Sequence, residues 1–316
     1  MSTGPARKKS LPPSRGRVCI LSRKRGLYST SRLVAAIKAE GQRPLVVDTL
    51  RCSMVLGPEP RMLYRNAELT GLRVVLPRIG ASITQYGVAV VGHLTTMGIP
   101  VVNTAPSISR SRDKLNCLQL LSGAGIAIPR TVMARDGTNI QRLVEEVGGL
   151  PAIIKLLRGT QGVGVMIATT MKEVATIFET FWELGQEIFI QEFIAEAKGR
   201  DVRALVVGNK VVGAMRRKAR KGEFRSNIHR GGEGKPIKLP AEYAEVAVRA
   251  AQTVGLGICG VDMLESKEGP KVMELNSSPG FEGLEQTTGK DIAGAMVRHA
   301  LEFSDIARGL ALPPDI

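Results

Sequence analysis

The stretch VMELNSSPG, residues 272–280, alternates apolar and polar residues and places Glu274 and Asn276 two positions apart. Side chains at i and i+2 of a strand point to one face, so a carboxylate and an amide oxygen converge there. Upstream, GVDML supplies Asp262, and the short linker ESKEGP predicts an antiparallel pair that sets Asp262 across from the Glu274/Asn276 face. Three oxygen donors on adjacent strands, completed by phosphate oxygens, describe a magnesium site that takes its ion together with a nucleotide. Edge charges on a solvated sheet are the alternative. The apolar neighbours Val261, Met263, Leu264, Val272, Met273 and Leu275 make both faces of these strands read as covered, which favours the metal.

Lys155, in AIIKLL, is the second chemical residue. A lysine inside an apolar run is costly unless its ammonium reaches an anion, or unless it snorkels at a strand end. The loop RGTQGVG follows at once, with Gly159, Gly162 and Gly164. A glycine loop between strands can close over phosphates with its backbone N–H groups. Strand lysine and glycine lid together point to a nucleotide. A basic run from Arg216 to Arg230 contains one acid, Glu223. It reads either as a solvated loop or as arginines that neutralise a transferring phosphate and bind an acidic acceptor. Arg225, Ser226 and Asn227, near Gly231 and Gly232, fit the second reading. GLGICG (255–260) imitates a dinucleotide fingerprint but follows a helix and precedes a strand, the reverse of the required order. GxxxxGKS/T, HExxH and GxSxG are absent from the sequence.

These residues need a scaffold. RVCILS, RPLVVDT and LRVVLPRIG read as strands, with helices over 29–40 and QYGVAVVGHLTTMG and a further strand IPVVN, so the pattern predicts a parallel α/β sheet ending near Ala105-Pro106. A helix over SRSRDKLNCLQLLSGAG follows, then the strand IAIPRTV, the helix NIQRLVEEVGG, the strands PAIIKLL and GVGVMIA, the helix MKEVATIFETFWELG and the strand EIFIQEFI. Beyond residue 200 come a hairpin turning at Gly208-Asn209, the basic segment, a helix AEYAEVAVRAAQTVG, the two strands of the oxygen site and a terminal helix.

Bulk properties narrow the partners. The 316 residues exceed one ordinary domain, and mean hydropathy is near zero. No apolar run is long enough to span a bilayer, and the basic segment 1–16 is expected to be disordered and lacks the apolar core of a signal peptide. Four cysteines form no CxxC and three histidines suggest no zinc site, so a reducing cytoplasmic setting is expected. The net charge of +15 favours polyanionic partners, whereas 4% aromatics weakens base stacking on single strands.

Together these motifs resemble the ATP-grasp superfamily, and more closely its RimK family of glutamate ligases. The matching stretches are ILSRKRGLYST, PRIGASIT, SRDKL, KLLRGTQGVGV, QEFI, DVRALVVG, FRSNIHRGG, GVDML and MELNSSPGFEGLE, spread from residue 17 to about 302. The resemblance implies an α/β ATP-grasp fold behind a Rossmann-like pre-ATP-grasp domain. The expected divisions are 17–105 for that domain, 106–194 and 195–303 for the two ATP-grasp subdomains, and 304–316 for a tail. It implies that Lys114, Lys155, Gly159, Gly162, Gln191, Glu192, Phe193, Ile194, Asp201, Arg225, Ser226 and Asn227 bind ATP. Lys155 and Arg225 would serve catalysis. Asp262, Glu274 and Asn276 would hold two magnesium ions, replaceable by manganese, with Glu274 between them. Arg78 and Arg216 would face glutamate or the acceptor.

The implied reaction adds L-glutamate to the acidic C-terminus of the sixth small-subunit ribosomal protein through an acyl phosphate, with free poly-glutamate as a further product. A homotetramer without membrane or sequence-specific nucleic-acid contact is also implied. A related ligase for an amino-group carrier protein or a glutamate-tailed cofactor shares the same core. An ATP-binding regulator of RNA or ribosomes is the competing class, and the complete Asp/Glu/Asn set argues against it.

Overall fold

The computed structural model describes residues 16–133, 139–157, 164–197, 199–220 and 232–310. Two compact units divide the chain, one formed by residues up to 106 with those from 293 onward, the other by 107–292. Among the described residues no helix is long and apolar enough to cross a membrane.

The first unit runs β1 (Arg17–Leu21), α1 (Tyr28–Ala39), β2 (Arg43–Val47), β3 (Cys52–Val55), β4 (Arg61–Tyr64), β5 (Ala67–Glu68), β6 (Leu72–Pro77) and α2 (Thr84–Thr96). Strands β2, β1 and β6 pair in parallel in that order, the arrangement that apolar strands alternating with helices demand. The predicted strand IPVVN contributes only a bridge from Val101 to Val75. Residues 52–68, without a predicted element, form the small antiparallel sheet β3-β4-β5. Its tight turn holds Arg65 and Asn66 at φ of 51° and 66°, both in the left-handed region that a two-residue hairpin turn needs.

In the second unit, α3 (Ala105–Arg112) and α4 (Lys114–Gly123) replace the single helix predicted over 109–125. Asp113 breaks it. Its backbone is extended and its Oδ1 accepts the Asn116 N–H at 3.0 Å, which caps a new helix in place of continuing the old one. Lys114 thereby becomes the first residue of α4.

Next come β7 (Thr131–Met133), α5 (Ile140–Glu146), β8 (Ala152–Leu156), β9 (Val165–Ala168), α6 (Met171–Glu183) and β10 (Ile188–Glu192). Their strands form an antiparallel sheet in the order β7-β10-β8-β9. Thr170 and Glu173 close a capping box on α6, and Val174 and Phe178 of its apolar face pack with Ala152, Ile154, Ile188 and Ile190.

A second antiparallel sheet is ordered β13-β12-β11-β14-β15. It consists of β11 (Arg200–Val207), β12 (Lys210–Lys218), β13 (Glu233–Pro236), β14 (Ile258–Ser266) and β15 (Gly269–Asn276), with α7 (Ala241–Val254) before β14 and α8 (Glu282–Thr288) after β15. One face packs on α7 and α4 through Val202, Ala204, Val261, Met263, Val272 and Leu275.

The last helix, α9 (Ile292–Ala307), runs through the tail start expected at residue 304 and belongs with the first unit rather than with the C-terminal subdomain. The reason is polar as well as apolar. Buried Ser304 donates to the Arg73 carbonyl at 3.0 Å, and Asp305 takes Arg73 in a two-pronged pair at 2.8 and 3.0 Å. Arg73 is almost wholly buried, so Asp305→Asn should cost about 1–3 kcal/mol by weakening the partner of a desolvated guanidinium. Urea unfolding of the full chain measures this, and an unchanged midpoint would remove α9 from the stability of the first unit.

Candidate active site

Asp262 of β14 lies directly across from Glu274 of β15, and Gly260 across from Asn276. A regular strand would not deliver this. Val272 packs in the core, and residues at i and i+2 share a face, so Glu274 would follow it inward. The register shifts between Asp262 and Met263: Met263 pairs with Val272 and Asp262 with Glu274, which leaves Met273 unopposed. This bulge turns Glu274 and Asn276 to the open face while Val272 and Leu275 stay in the core. The reading that both faces are covered is therefore corrected, since Glu274 is exposed.

Asp262 is 2% exposed. Burial opposes its ionisation, yet Arg203 and Arg217 together outweigh that and hold the carboxyl well below the usual carboxylate range. Arg203 of β11 grips both oxygens, Nε to Oδ1 at 2.7 Å and Nη2 to Oδ2 at 2.6 Å. Arg217 of β12 adds Nη2 to Oδ2 at 2.8 Å and pairs two-pronged with buried Asp201 at 2.6 and 2.7 Å. Alternation along β11 puts Asp201 and Arg203 on this face, and their cross-strand partners are Arg217 and Asp262. The ladder of alternating charges keeps each buried ion beside opposite ones.

Glu274 differs. No described residue donates a hydrogen bond to its carboxylate. Desolvation and the neighbouring Asp262 charge push its carboxyl up, while Arg203, Lys155 and Arg217 pull it back. The side chain is exposed and has charges of both signs around it, Asp262 against Arg203, Lys155 and Arg217, which suits a group that takes a ligand. The Asn276 Oδ1 accepts the Ser278 N–H at 3.0 Å, and the Ser278 hydroxyl is buried without a hydrogen-bond partner.

Cations converge on Glu274 from other elements. On β8, Lys155 shares a face with Phe189 and Gln191 of β10, away from the α5/α6 core. Its ammonium donates to Gln191 Oε1 at 2.6 Å and lies 5.9 Å from the Phe189 ring centre, and Gln191 in turn donates to Thr131 Oγ1 at 2.9 Å. Burial lowers the Lys155 pKa to about 8, against the pull of Glu274 and with the push of Lys114. Lys114 donates to the Leu156 carbonyl at 3.0 Å, and burial lowers its pKa as well as that of Arg112, Glu274 opposing in both cases.

Other expected residues have different surroundings. The Glu192 carboxylate pairs with Lys271 at 3.1 Å and accepts the Arg130 N–H at 3.0 Å, joining the two sheets of the unit. Phe193 and Ile194 follow β10, half-buried and buried respectively. Asp201, expected at ATP, has its carboxylate engaged by Arg217. Arg216, expected to face glutamate or the acceptor, points to the opposite face of the sheet because it neighbours Arg217 on β12; there it pairs with Glu265 at 2.6 and 2.9 Å. Arg78 lies in the first unit, just after β6. Gly159, Gly162, Arg225, Ser226 and Asn227 lie outside the described residues. Arg203 was missed, although its spacing of two from Asp201 is the same strand signal that marks Glu274 and Asn276.

The donor set suits a hard cation: two carboxylates and an amide, all oxygen, with Glu274 unpartnered. Among the described residues no three His, Cys, Asp or Glu side chains form a ready-made cage, so other oxygens must complete the shell. Glu274→Gln should raise stability at neutral pH by removing a carboxylate held directly across from the Asp262 charge. The gain should shrink as falling pH protonates Glu274 in the parent protein, because a raised folded-state pKa stabilises only the acid form. Urea midpoints at two pH values check this, and an equal shift at both would reject it.

Comparison with known proteins places this geometry. Residues 17–108 match the RimK PreATP-grasp domain and residues 111–300 the RimK-like ATP-grasp domain. A probable alpha-L-glutamate ligase of Vibrio vulnificus (strain YJ016) is 53% identical over 279 residues, covering 88% of this chain and 93% of the relative. Another, from Thioalkalivibrio sulfidiphilus (strain HL-EbGR7), is 49% identical over 282 residues, 89% of this chain and 94% of its own. In fold, the chain is similar to the ATP-grasp ligase PsnB complexed with minimal precursor, with a TM-score of 0.72 at 23% identity over 93% of this chain and 100% of that one. D-alanine--D-alanine ligase from Bacillus anthracis, complexed with ATP, follows at 0.67 and 19%, over 94% and 100%. With both domains matched in order from residue 17 to residue 300, the chain belongs to the RimK-like ATP-grasp family of ATP-dependent alpha-L-glutamate ligases.

Proposed function

We propose that the enzyme adds L-glutamate to the acidic C-terminal tail of the sixth small-subunit ribosomal protein. The observation that carries the chemistry is the convergence of Lys114, Lys155 and Arg112 on Glu274, which stands directly across from Asp262; this suits a metal-bound triphosphate. The acceptor is argued from the net charge of +15, which attracts a tail that grows more acidic with each addition.

An acceptor carboxylate oxygen attacks the γ-phosphorus of ATP, ADP leaves, and an acyl phosphate results. The free amine of glutamate then attacks the carbonyl carbon, phosphate leaves, and the nitrogen gives up a proton. Lys155 and Lys114, desolvated and held by Gln191 and the Leu156 carbonyl, bind phosphate oxygens without reorganising. Lys114 is the first residue of α4, so its charge adds to the positive end of that helix. Arg225 is read as a second neutraliser of transferring charge. Asp262, Glu274 and Asn276 would hold the two magnesium ions, which would supply Lewis-acid polarisation of the phosphates. Arg203 and Arg217 fix the plane of Asp262 and leave it the capacity to accept more only at Oδ1.

ADP release with magnesium, ATP and glutamate, read beside the intact mass of the ribosomal protein, tests the proposal. Mass steps of one glutamate residue, lost in Glu274→Ala, are expected. ADP release with an unmodified acceptor would point to an amino-group carrier protein, a glutamate-tailed cofactor or free poly-glutamate. A second test uses pH. Lys155 is charged below about 8 in the free enzyme, and bound phosphate favours its charged form, so ATP affinity should decline as pH rises through that value. In Lys155→Met the affinity should already be low and this step absent, as a fluorescent-nucleotide titration would read; a step that persists would exclude Lys155.

A further inference from the structure

The first unit carries a charge cluster that its fold does not use. Arg23, Lys24 and Arg25 follow β1 in succession, all exposed, and their side chains make no ion pair or hydrogen bond among the described residues. Several other cations of this unit are engaged. Arg73 pairs with Asp305 and Arg298 with Glu40, while Arg17 and Arg308 donate to carbonyls near the amino end of β6. Three adjacent like charges repel one another, and together they form a local positive field that an anionic segment would relieve.

The turn is indeed built. Ser31 Oγ donates to the Arg25 carbonyl at 2.9 Å and Ser22 Oγ to the Lys24 carbonyl at 3.4 Å. The Ser22 N–H bonds to the Val47 carbonyl and the Arg78 N–H to the Leu21 carbonyl, each at 2.9 Å. The turn therefore sits at the carboxyl edge of the parallel sheet, between the segment after β2 and the segment after β6, where open α/β sheets receive ligands. Arg51 is on the same edge, 3.5 Å from Asp48, the acid there. Leu27 and Leu50 are 51% and 47% exposed beside these cations.

We infer that this edge, centred on Arg23, Lys24 and Arg25, docks an acidic polypeptide segment of the acceptor. The inference rests on the proposed function and locates its partner on the first unit. Charge complementarity selects an acidic chain, and the exposed leucines suit a polypeptide better than a nucleic acid, which would favour aromatic stacking.

Fluorescence anisotropy of a labelled poly-L-glutamate peptide with the full chain at low salt tests it. Arg23→Ser/Lys24→Ser/Arg25→Ser should weaken binding about tenfold, with nucleotide affinity unchanged, whereas Lys38→Ser/Arg43→Ser at the opposite edge should stay within about twofold. Equal weakening by both variants would reduce the effect to net charge and overturn the inference. So would wild-type affinity in the triple variant, or tighter binding of an oligouridylate of matched charge. Glutamate-dependent ADP release measured on the same preparations separates the two readings. Its presence with peptide affinity unchanged in the triple variant overturns the docking edge alone. Its absence, with peptide binding lost in that variant, keeps the edge and overturns the ligase's proposed acceptor.

Discussion

A carboxylate at 2% exposure remains ionised only if cations replace the water it has lost, and Asp262 has two. Much of the second unit follows from that requirement. Arg203 stands on the strand next to Asp262 and Arg217 on the strand beyond, and the antiparallel register of β12, β11 and β14 brings both within reach of it. Arg217 brings a second buried acid, Asp201, and the four ions close into a ladder across three strands. Removing one member would strand a like-charged or unpaired neighbour in a dry place. The ladder thus works as a rigid floor, and the residues meant for ligands stand at its edge.

The edge is where the fold departs from its own economy. Among the described residues Glu274 has no hydrogen-bond donor, burial lowers the Lys155 pKa to about 8, and Lys114 puts a positive charge at the positive end of a helix. In the proposed reading, each arrangement would be relieved by a metal-bound polyphosphate. The same inequality separates the ladder from the site. Asp262 is satisfied before any ligand arrives, whereas Glu274 is not.

How much of this the residues disclose in advance depends on the range of the interaction. Period-two alternation reveals Glu274 with Asn276 and puts Asp262 near them, because register within a short hairpin is a local matter. The bulge at Met273 is less legible, as is the open face beside it, since only the packing of Val272 against α7 demands the shift. Lys155 stands out as a charge in an apolar run. Its partner Gln191 does not, being 36 residues away on a strand whose pairing no local pattern dictates. Arg216 and Arg217 look equivalent in a basic run, yet alternation sends one to a charge ladder and the other to Glu265. The break at Asp113 was available from capping chemistry but was masked by an otherwise continuous helical pattern.

The return of α9 to the first unit has a bearing on biosynthesis. A ribosome delivers the parallel sheet early, with Arg73 prepared for a partner that lies 232 residues further along the chain. Until the last helix emerges, the carbonyls of Leu72 and Arg73 lack the donors supplied by Ser304 and Arg308. The second unit, continuous from 107 to 292, can close first. The first unit is then completed by a helix made after the whole of the second unit, so its finished fold waits on the synthesis of residues 107–292 as well as its own.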